Sequence, residues 1–200
     1  MGSVIEMMRV QPGAQVRLGS IATDDTFGWE KKEALRDLDK IKARLDLLQQ
    51  RLFAEDRRSV LLVLQAMDAA GKDGTIRAIL SGLNPAGVSV APFGVPGGPE
   101  TEHDYLWRVH AQAPAKGRMV VFNRSHYEDV LVVRVKGLAP KRVWARRYEH
   151  IREFEDLLSD EGTTVVKCFL HVSKDVQRER LQERIARFLA GARAGWQNAA

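Results

Sequence analysis

One run in the first half of the chain has the residue types and order of a phosphate cradle: Gln65-Ala66-Met67-Asp68-Ala69-Ala70-Gly71-Lys72-Asp73-Gly74-Thr75. Small residues let backbone N–H groups close around phosphate oxygens, a helix starting beyond them adds partial positive charge, and Lys72 can reach the terminal phosphates. Against the pattern G-x-x-x-x-G-K-[ST], Ala66 replaces the first glycine and Asp73 replaces the hydroxyl residue. An ordinary strand-to-helix turn with a surface lysine is the plainer alternative; the apolar strand before the run and the helical pattern after it favour the cradle. Ala69, Ala70, Gly71, Lys72, Asp73, Gly74 and Thr75 are therefore the expected phosphate-binding residues. With no hydroxyl directly after Lys72, a metal ligand must be sought elsewhere. Asp68 is the first candidate and Thr75 a weaker one, since Mg2+ keeps several waters and needs one or two carboxylates.

A second cluster follows the apolar run Met119–Phe122: Asn123-Arg124-Ser125-His126-Tyr127-Glu128-Asp129. P-loop kinases commonly carry a magnesium-positioning carboxylate at such a strand end, but here the position is Asn123, with Glu128 and Asp129 one turn further on. Arg124 is placed to face the phosphates and stabilise charge on a transferring group, with a surface ion pair as the alternative. Phosphoryl transfer between phosphate oxygens needs little proton abstraction, so His126 reads as structural rather than as a base. His103, His110, His150 and His171 show no ligand spacing. The basic residues Arg134, Lys136, Lys141, Arg142, Arg146, Arg147 and Arg152, with Arg178, Arg180, Arg184 and Arg187, together suit a track for a long polyanion.

These clusters need a sheet to hold them. Val60–Leu64 is a continuous apolar run of the kind buried on both faces of a parallel sheet. Val88–Ala91, Met119–Phe122 and Thr164–Leu170 are further strand candidates, separated by helical patterning at 105–111 and 143–158. Such alternation predicts a three-layer α/β fold, in which ligands bind at the carboxyl ends of the strands. From Trp29 to Phe53, Leu35, Leu38, Ile41, Leu45, Leu48 and Leu52 form one apolar stripe of an amphipathic helix, packed on its own domain or against a second subunit. Residues 1–28 read as an irregular arm carrying Pro12, Gly13, Gly19 and Gly28.

The length of 200 residues with 44% hydrophobic content fits one α/β domain. No run of uncharged apolar residues is long enough to span a membrane, and the first residues lack a signal-peptide pattern, so a cytoplasmic location and no membrane partner are expected. Cys168 is the single cysteine, which excludes an internal disulfide and a cysteine-based metal cluster; its apolar strand predicts a small buried hydrophobe. A net charge of +5 favours anionic partners. Aromatic residues do not interleave with the basic ones as a nucleic-acid stacking platform requires, so no nucleic acid is expected.

The segments LQAMDAAGKDGTI, SGLNPAGV, HDYLWRVH, FNRSHYEDVLVVRV, WARRYEHIREFE and GTTVVKCFLHVSKDVQRERLQ, in this order from about Val10 to Glu183, resemble the family-2 polyphosphate kinases, in the class acting on nucleoside mono- and diphosphates. The resemblance implies a P-loop kinase fold like that of thymidylate kinases, Mg2+ dependence and phosphoryl transfer between inorganic polyphosphate and AMP or ADP; a homo-oligomer is also expected. By matched position it implies Asp68 at the metal, Lys72 and Arg124 at the phosphates, Glu128 in accepting monophosphates, and Arg134 as a further site residue. Two departures accompany it. Phe93-Gly94-Val95-Pro96 stands where the family has Phe-Lys-x-Pro. After Arg184 the family continues with a tryptophan-bearing lid, a helix and a last strand, whereas this sequence turns to Ile185-Ala186-Arg187-Phe188 and a run rich in Ala, Gly and Arg. The expectation is a kinase domain over 29–184, a divergent tail over 185–200, and an incomplete lid and last strand. An ATP-dependent nucleotide kinase and a catalytically impaired binding remnant remain alternatives at this point.

Overall fold

The computed structural model describes residues 4–197, with side-chain environments through residue 190. Four strands, β1 (Ser59–Ala66), β2 (Val88–Pro92), β3 (Met119–Asn123) and β4 (Thr163–Leu170), make one parallel sheet in the order β2-β3-β1-β4. The α-helices are α1 (Val4–Met8), α2 (Lys31–Glu55), α3 (Lys72–Leu80), α4 (Trp107–His110), α5 (Glu128–Val135), α6 (Lys141–Asp160) and α7 (Lys174–Gln197). Two compact units emerge: Lys40–Ala66 with Gly71–Leu170, which holds the sheet, and Met1–Asp39 with Met67–Ala70 and His171–Ala200.

The sheet unit is built in three layers because its central strands are apolar on both faces. Leu61, Val63, Val120 and Phe122 pack on one side with Phe93, Val109, Phe154 and Leu158, which brings in α4 and α6. Leu62, Leu64, Met119 and Val121 point the other way, onto Ile76, Leu83 and the half-buried Leu45 and Ile79 of α2 and α3. Alternate residues of a strand face opposite sides, so one uninterrupted apolar run feeds both layers. From β1 the chain passes over β3 to β2, returns to β3, and then crosses to β4 on the other flank of β1. The crevice between β1 and β3 is therefore a topological switch point, where open α/β sheets take ligands.

Two expectations are corrected. Cys168 is exposed, not buried, because β4 is an edge strand with a single hydrogen-bonded neighbour and most of its side chains reach solvent. Residues 185–197, read as a tail without a firm element, continue α7; its Arg, Gln, Glu, Leu and Ala content favours helix, and Gly191 and Gly195 do not end it. The last three residues of that tail, 198–200, lie outside the described residues, as do the first three of the N-terminal arm. The arm is irregular apart from α1 and a 3-10 turn at Leu18–Ser20.

Helix α2 turns only part of its leucine stripe inward, with Leu45 and Leu52 half-buried. Leu35, Leu38, Ile41 and Leu48 are exposed, whereas Gln49 is 3% exposed. The dent that admits it is Gly87, where a Cβ would stand 1.8 Å from Gln49 Nε2. Both amide atoms of Gln49 lack hydrogen-bond partners, and a buried unpaired amide is costly. Gln49→Met keeps the chain length and removes the stranded polar atoms, and it is expected to raise the unfolding free energy by about 1 kcal/mol in urea titration.

Candidate functional site

The carboxyl ends of β1 and β3 carry the two clusters. Ala66 closes β1, and Gly71 caps α3 with φ 96°, a left-handed conformation that glycine adopts without a Cβ penalty. Gly71 itself brings no side-chain cap to this helix end, which carries the partial positive charge of a helix N-terminus. Lys72 opens α3, half-buried, with Nζ donating to the Ala66 carbonyl at 3.3 Å. The Thr75 hydroxyl donates to the Gly71 carbonyl at 3.2 Å, one turn back within the helix. Gly74 is exposed in the first turn, and no protein atom lies near the place of its missing Cβ. Asp73 accepts a hydrogen bond from Asn123 Nδ2 at 2.8 Å, which ties the two clusters together through two of the residues that depart from the kinase patterns.

The turn Met67–Ala70 belongs to the other compact unit. Ala70 N donates to the Met67 carbonyl at 3.3 Å, and Ala69 has φ 59°, the left-handed region in a residue other than glycine. The Ala69 carbonyl accepts from Arg180 Nη1 at 3.2 Å, so one arginine of the expected basic track buttresses this turn. Asp68 is exposed within it. Arg178 and Arg187 of the same track make ion pairs with Asp175 and Glu183 on their own helix.

The turn after β3 is tightly held. Arg124 has φ 66° and its N–H donates to the Leu64 carbonyl at 3.2 Å. Ser125, fully buried, accepts on Oγ from Gln65 Nε2 at 3.0 Å and from the Tyr127 N–H at 3.2 Å. His126 is also fully buried, among Phe122, Tyr127 and Phe154, and its Nε2 meets Glu155 Oε1 at 3.2 Å. An ionised carboxylate only accepts, so Nε2 carries the proton in this contact. Glu128 is the first residue of α5 and Arg134 lies in its last turn, about 9 Å apart along the axis at 1.5 Å per residue. The Arg134 guanidinium stands 5.0 Å from the centre of the Trp144 ring, a cation–π contact. The structure thus brings Lys72, Asp73 and Arg124 to neighbouring strand ends and sets Arg134 at the far end of the next helix.

The polyphosphate kinase 2 family model matches residues 28–189. The chain belongs to that family. Among its relatives, the AMP/ADP-polyphosphate phosphotransferase of Meiothermus ruber is 60% identical over 179 residues, which cover 88% of this chain and 67% of that protein. The ADP-polyphosphate phosphotransferase of Rhodopseudomonas palustris is 46% identical, covering 90% of this chain and 67% of its own length. In the solved structures, polyphosphate kinase 2 from Arthrobacter aurescens TC1 superposes with a TM-score of 0.85 at 39% identity, over 96% of this chain and 72% of the other.

Two features of this polyphosphate kinase 2 chain escaped sequence reasoning. The first is a cavity of about 870 Å³ lined by Tyr105, Arg108, Asp129, Arg142, Arg146 and Arg147, among others. Arg108 is 5% exposed; it pairs with Asp129 at 3.2 Å and Glu100 at 3.4 Å, and donates to the Gly94 carbonyl at 2.9 Å. A guanidinium from α4 thus reaches the loop after β2 at Gly94. Arg147 donates to the Asp129 carbonyl at 2.7 Å and stacks over Tyr105 at 4.5 Å. Burial pushes the Tyr105 hydroxyl up to about 12, the nearby carboxylates of Asp129 and Asp104 adding to this and Arg147 opposing it. The cue in the sequence was slight: Arg108 adjoins Val109 in a short helical run.

The second is Glu155, on α6 between Phe154 and Leu158, a carboxylate on a core-facing stripe. It accepts from His126, from the Tyr127 hydroxyl at 2.9 Å and from Lys167 Nζ at 2.5 Å. Burial by itself would raise its pKa, but the hydrogen bonds from His126 and Lys167, the Lys167 charge and the Tyr127 hydroxyl together hold it below the ordinary value. Burial likewise carries the Tyr127 phenol up to about 12, so it remains a neutral donor.

A folded-state pKa below the unfolded one means that the ionised form stabilises the fold above the unfolded pKa, and that this stabilisation fades as pH falls through the folded pKa. The stability advantage of the wild type over Glu155→Gln is therefore expected to be constant above about pH 5.5, where free glutamate is ionised, and to shrink as the solution is acidified further. Urea midpoints measured from neutral to acid pH check this; a difference that stays constant on acidification contradicts it.

Proposed function

We propose that this chain transfers phosphoryl groups between inorganic polyphosphate and AMP or ADP, with Mg2+ as its metal. The observation that carries the reading is the placement of Lys72, at the start of α3, beside the Arg124 turn at the end of the adjacent parallel strand. The family membership and the substrates named for the relatives from Meiothermus ruber and Rhodopseudomonas palustris support it. The phosphates bind at the helix start, where N–H groups and the Lys72 ammonium meet their charge. Arg124 faces the transferring group and stabilises the charge that spreads over its equatorial oxygens. The attacking nucleotide oxygen is already anionic, and the bond it forms to phosphorus replaces the bond to the bridging oxygen of polyphosphate, which leaves as a phosphate anion; positioning and charge compensation therefore supply the catalysis, and the buried His126 holds the turn rather than taking a proton.

The cavity beside Arg108 and Arg147 gives the nucleotide its space, with Arg142 and Arg146 supplying positive charge at its rim. Glu128 opens the helix whose next residue, Asp129, lines that cavity, which suits the role in accepting monophosphates that the family resemblance implies.

The donor set fits a hard cation. Asp68 is an exposed carboxylate, and among the described residues no three His, Cys, Asp or Glu side chains converge to form an all-protein cage. Mg2+ in phosphotransferases is held by one or two carboxylates together with substrate phosphates and waters. Bound there, the ion neutralises charge on the phosphate oxygens, with Asp68 as its protein ligand.

The test is a coupled assay of the purified protein with magnesium and long-chain polyphosphate, following conversion of AMP and ADP. Wild type is expected to turn over, and Lys72→Ala to lose about a hundredfold or more in kcat with an unchanged circular-dichroism melt. Activity with ATP and AMP that does not require polyphosphate would replace this reading with that of an ordinary nucleotide kinase. Binding without turnover would leave a polyphosphate or nucleotide binder. An Asp68→Asn variant is expected to require higher magnesium for half-maximal rate, because a neutral amide holds Mg2+ more weakly than a carboxylate.

A further inference from the structure

We propose that Glu155 is a positioning residue for phosphoryl transfer, acting on the site through the backbone of the Arg124 turn. This rests on the reading that Arg124 meets phosphate. The turn poses a physical problem that its own residues do not solve. Arg124 occupies the left-handed region at φ 66°, a conformation that costs a non-glycine residue of order 1–3 kcal/mol and persists only when its surroundings over-determine it. On the strand side it is fixed by its N–H bond to Leu64 and by the Asn123–Asp73 contact. On the helix side the fixing residues are Ser125, His126 and Tyr127.

Those three residues converge on few partners. Ser125 is satisfied by Gln65 and the Tyr127 N–H. His126 and Tyr127 both end on one oxygen of Glu155, at 3.2 and 2.9 Å, while Lys167 from β4 takes the other oxygen at 2.5 Å and also donates to the Tyr127 hydroxyl at 3.1 Å. One carboxylate from α6 is thus the common acceptor for both side chains that follow Arg124 and Ser125. His126 Nδ1 has no partner, so the Glu155 contact is the one polar tie of a fully buried imidazole. Replacing this carboxylate by an amide leaves one neutral acceptor oxygen for three donors and sets an NH2 group against Lys167, which weakens the hold on His126 and Tyr127 and releases the left-handed turn. The carboxylate has no phosphate to meet; its effect on catalysis is confined to where Arg124 sits.

A double-mutant cycle separates this role from general destabilisation. Glu155→Gln is expected to lower kcat about tenfold or more in the wild-type background and by less than about twofold in an Arg124→Ala background, because a group acting through Arg124 has nothing left to act on. Amide hydrogen exchange at residues 124–128 is expected to speed up about tenfold while the melting curve keeps its shape. Should Glu155→Gln not fold, Tyr127→Phe, which removes one of the donors, is expected to show the same non-additive pattern at smaller amplitude. Equal losses in both backgrounds would overturn the proposal, as would an unchanged exchange rate in the turn.

If wild type transfers no phosphate from polyphosphate, the proposed function falls, and the cycle is read instead from the affinity for inorganic tripolyphosphate by calorimetry. Weakening by Glu155→Gln that disappears in the Arg124→Ala background supports the positioning role. Weakening that persists there, or no tripolyphosphate binding by wild type, refutes it.

Discussion

β1 and β3 run side by side in parallel with Leu64 beside Asn123, so both strands leave the sheet at the same edge, separated by about 4.8 Å. Every feature of the candidate site in the sheet unit follows from this pairing. The segment after β1 turns into α3 and presents Lys72; the segment after β3 turns into α5 and presents Arg124 and Glu128. Neither turn is long enough to find the other by itself. The hydrogen-bonded register, secured by Val63, Val121 and Phe122 packed on both faces, places them together before any ligand is present.

The backbone is under tension where the ligand is expected. Ala69, Gly71 and Arg124 all take positive φ, and only one of them is glycine. Each such residue turns the chain sharply within its own unit. The strain is offset by hydrogen bonds that hold these turns. Arg180 holds the Ala69 carbonyl in one unit, and the Ser125, His126 and Tyr127 set holds the Arg124 turn in the other.

Two buried polar groups set the other half of the architecture. Arg108, held by Asp129, Glu100 and the Gly94 carbonyl, braces the loop after β2 against α5. Glu155 binds α6 to the turn after β3 and, through Lys167, to the edge strand β4. A charge placed inside a fold is tolerated only with its partners present, so these clusters make the spacing between layers specific in a way that apolar packing alone does not.

The apolar run of β1, the glycine and lysine after it and the alternation of strands and helices were legible in the sequence, because strand periodicity and phosphate-loop chemistry are local properties of a few consecutive residues. The same locality made Lys72 and Arg124 nameable as site candidates, and the order of the long motifs pointed to the family. What sequence could not decide were pairings across long separations. The bond between Asp73 and Asn123, the choice of Gln49 over Leu48 for the sheet face of α2, the exposure of Cys168 and the convergence of three donors on Glu155 all depend on which element lies beside which. A carboxylate on an apolar stripe and an arginine beside a valine give no partner by themselves; only the tertiary structure supplies one, because the cost of burying a charge is met by groups distant in the chain and near in space.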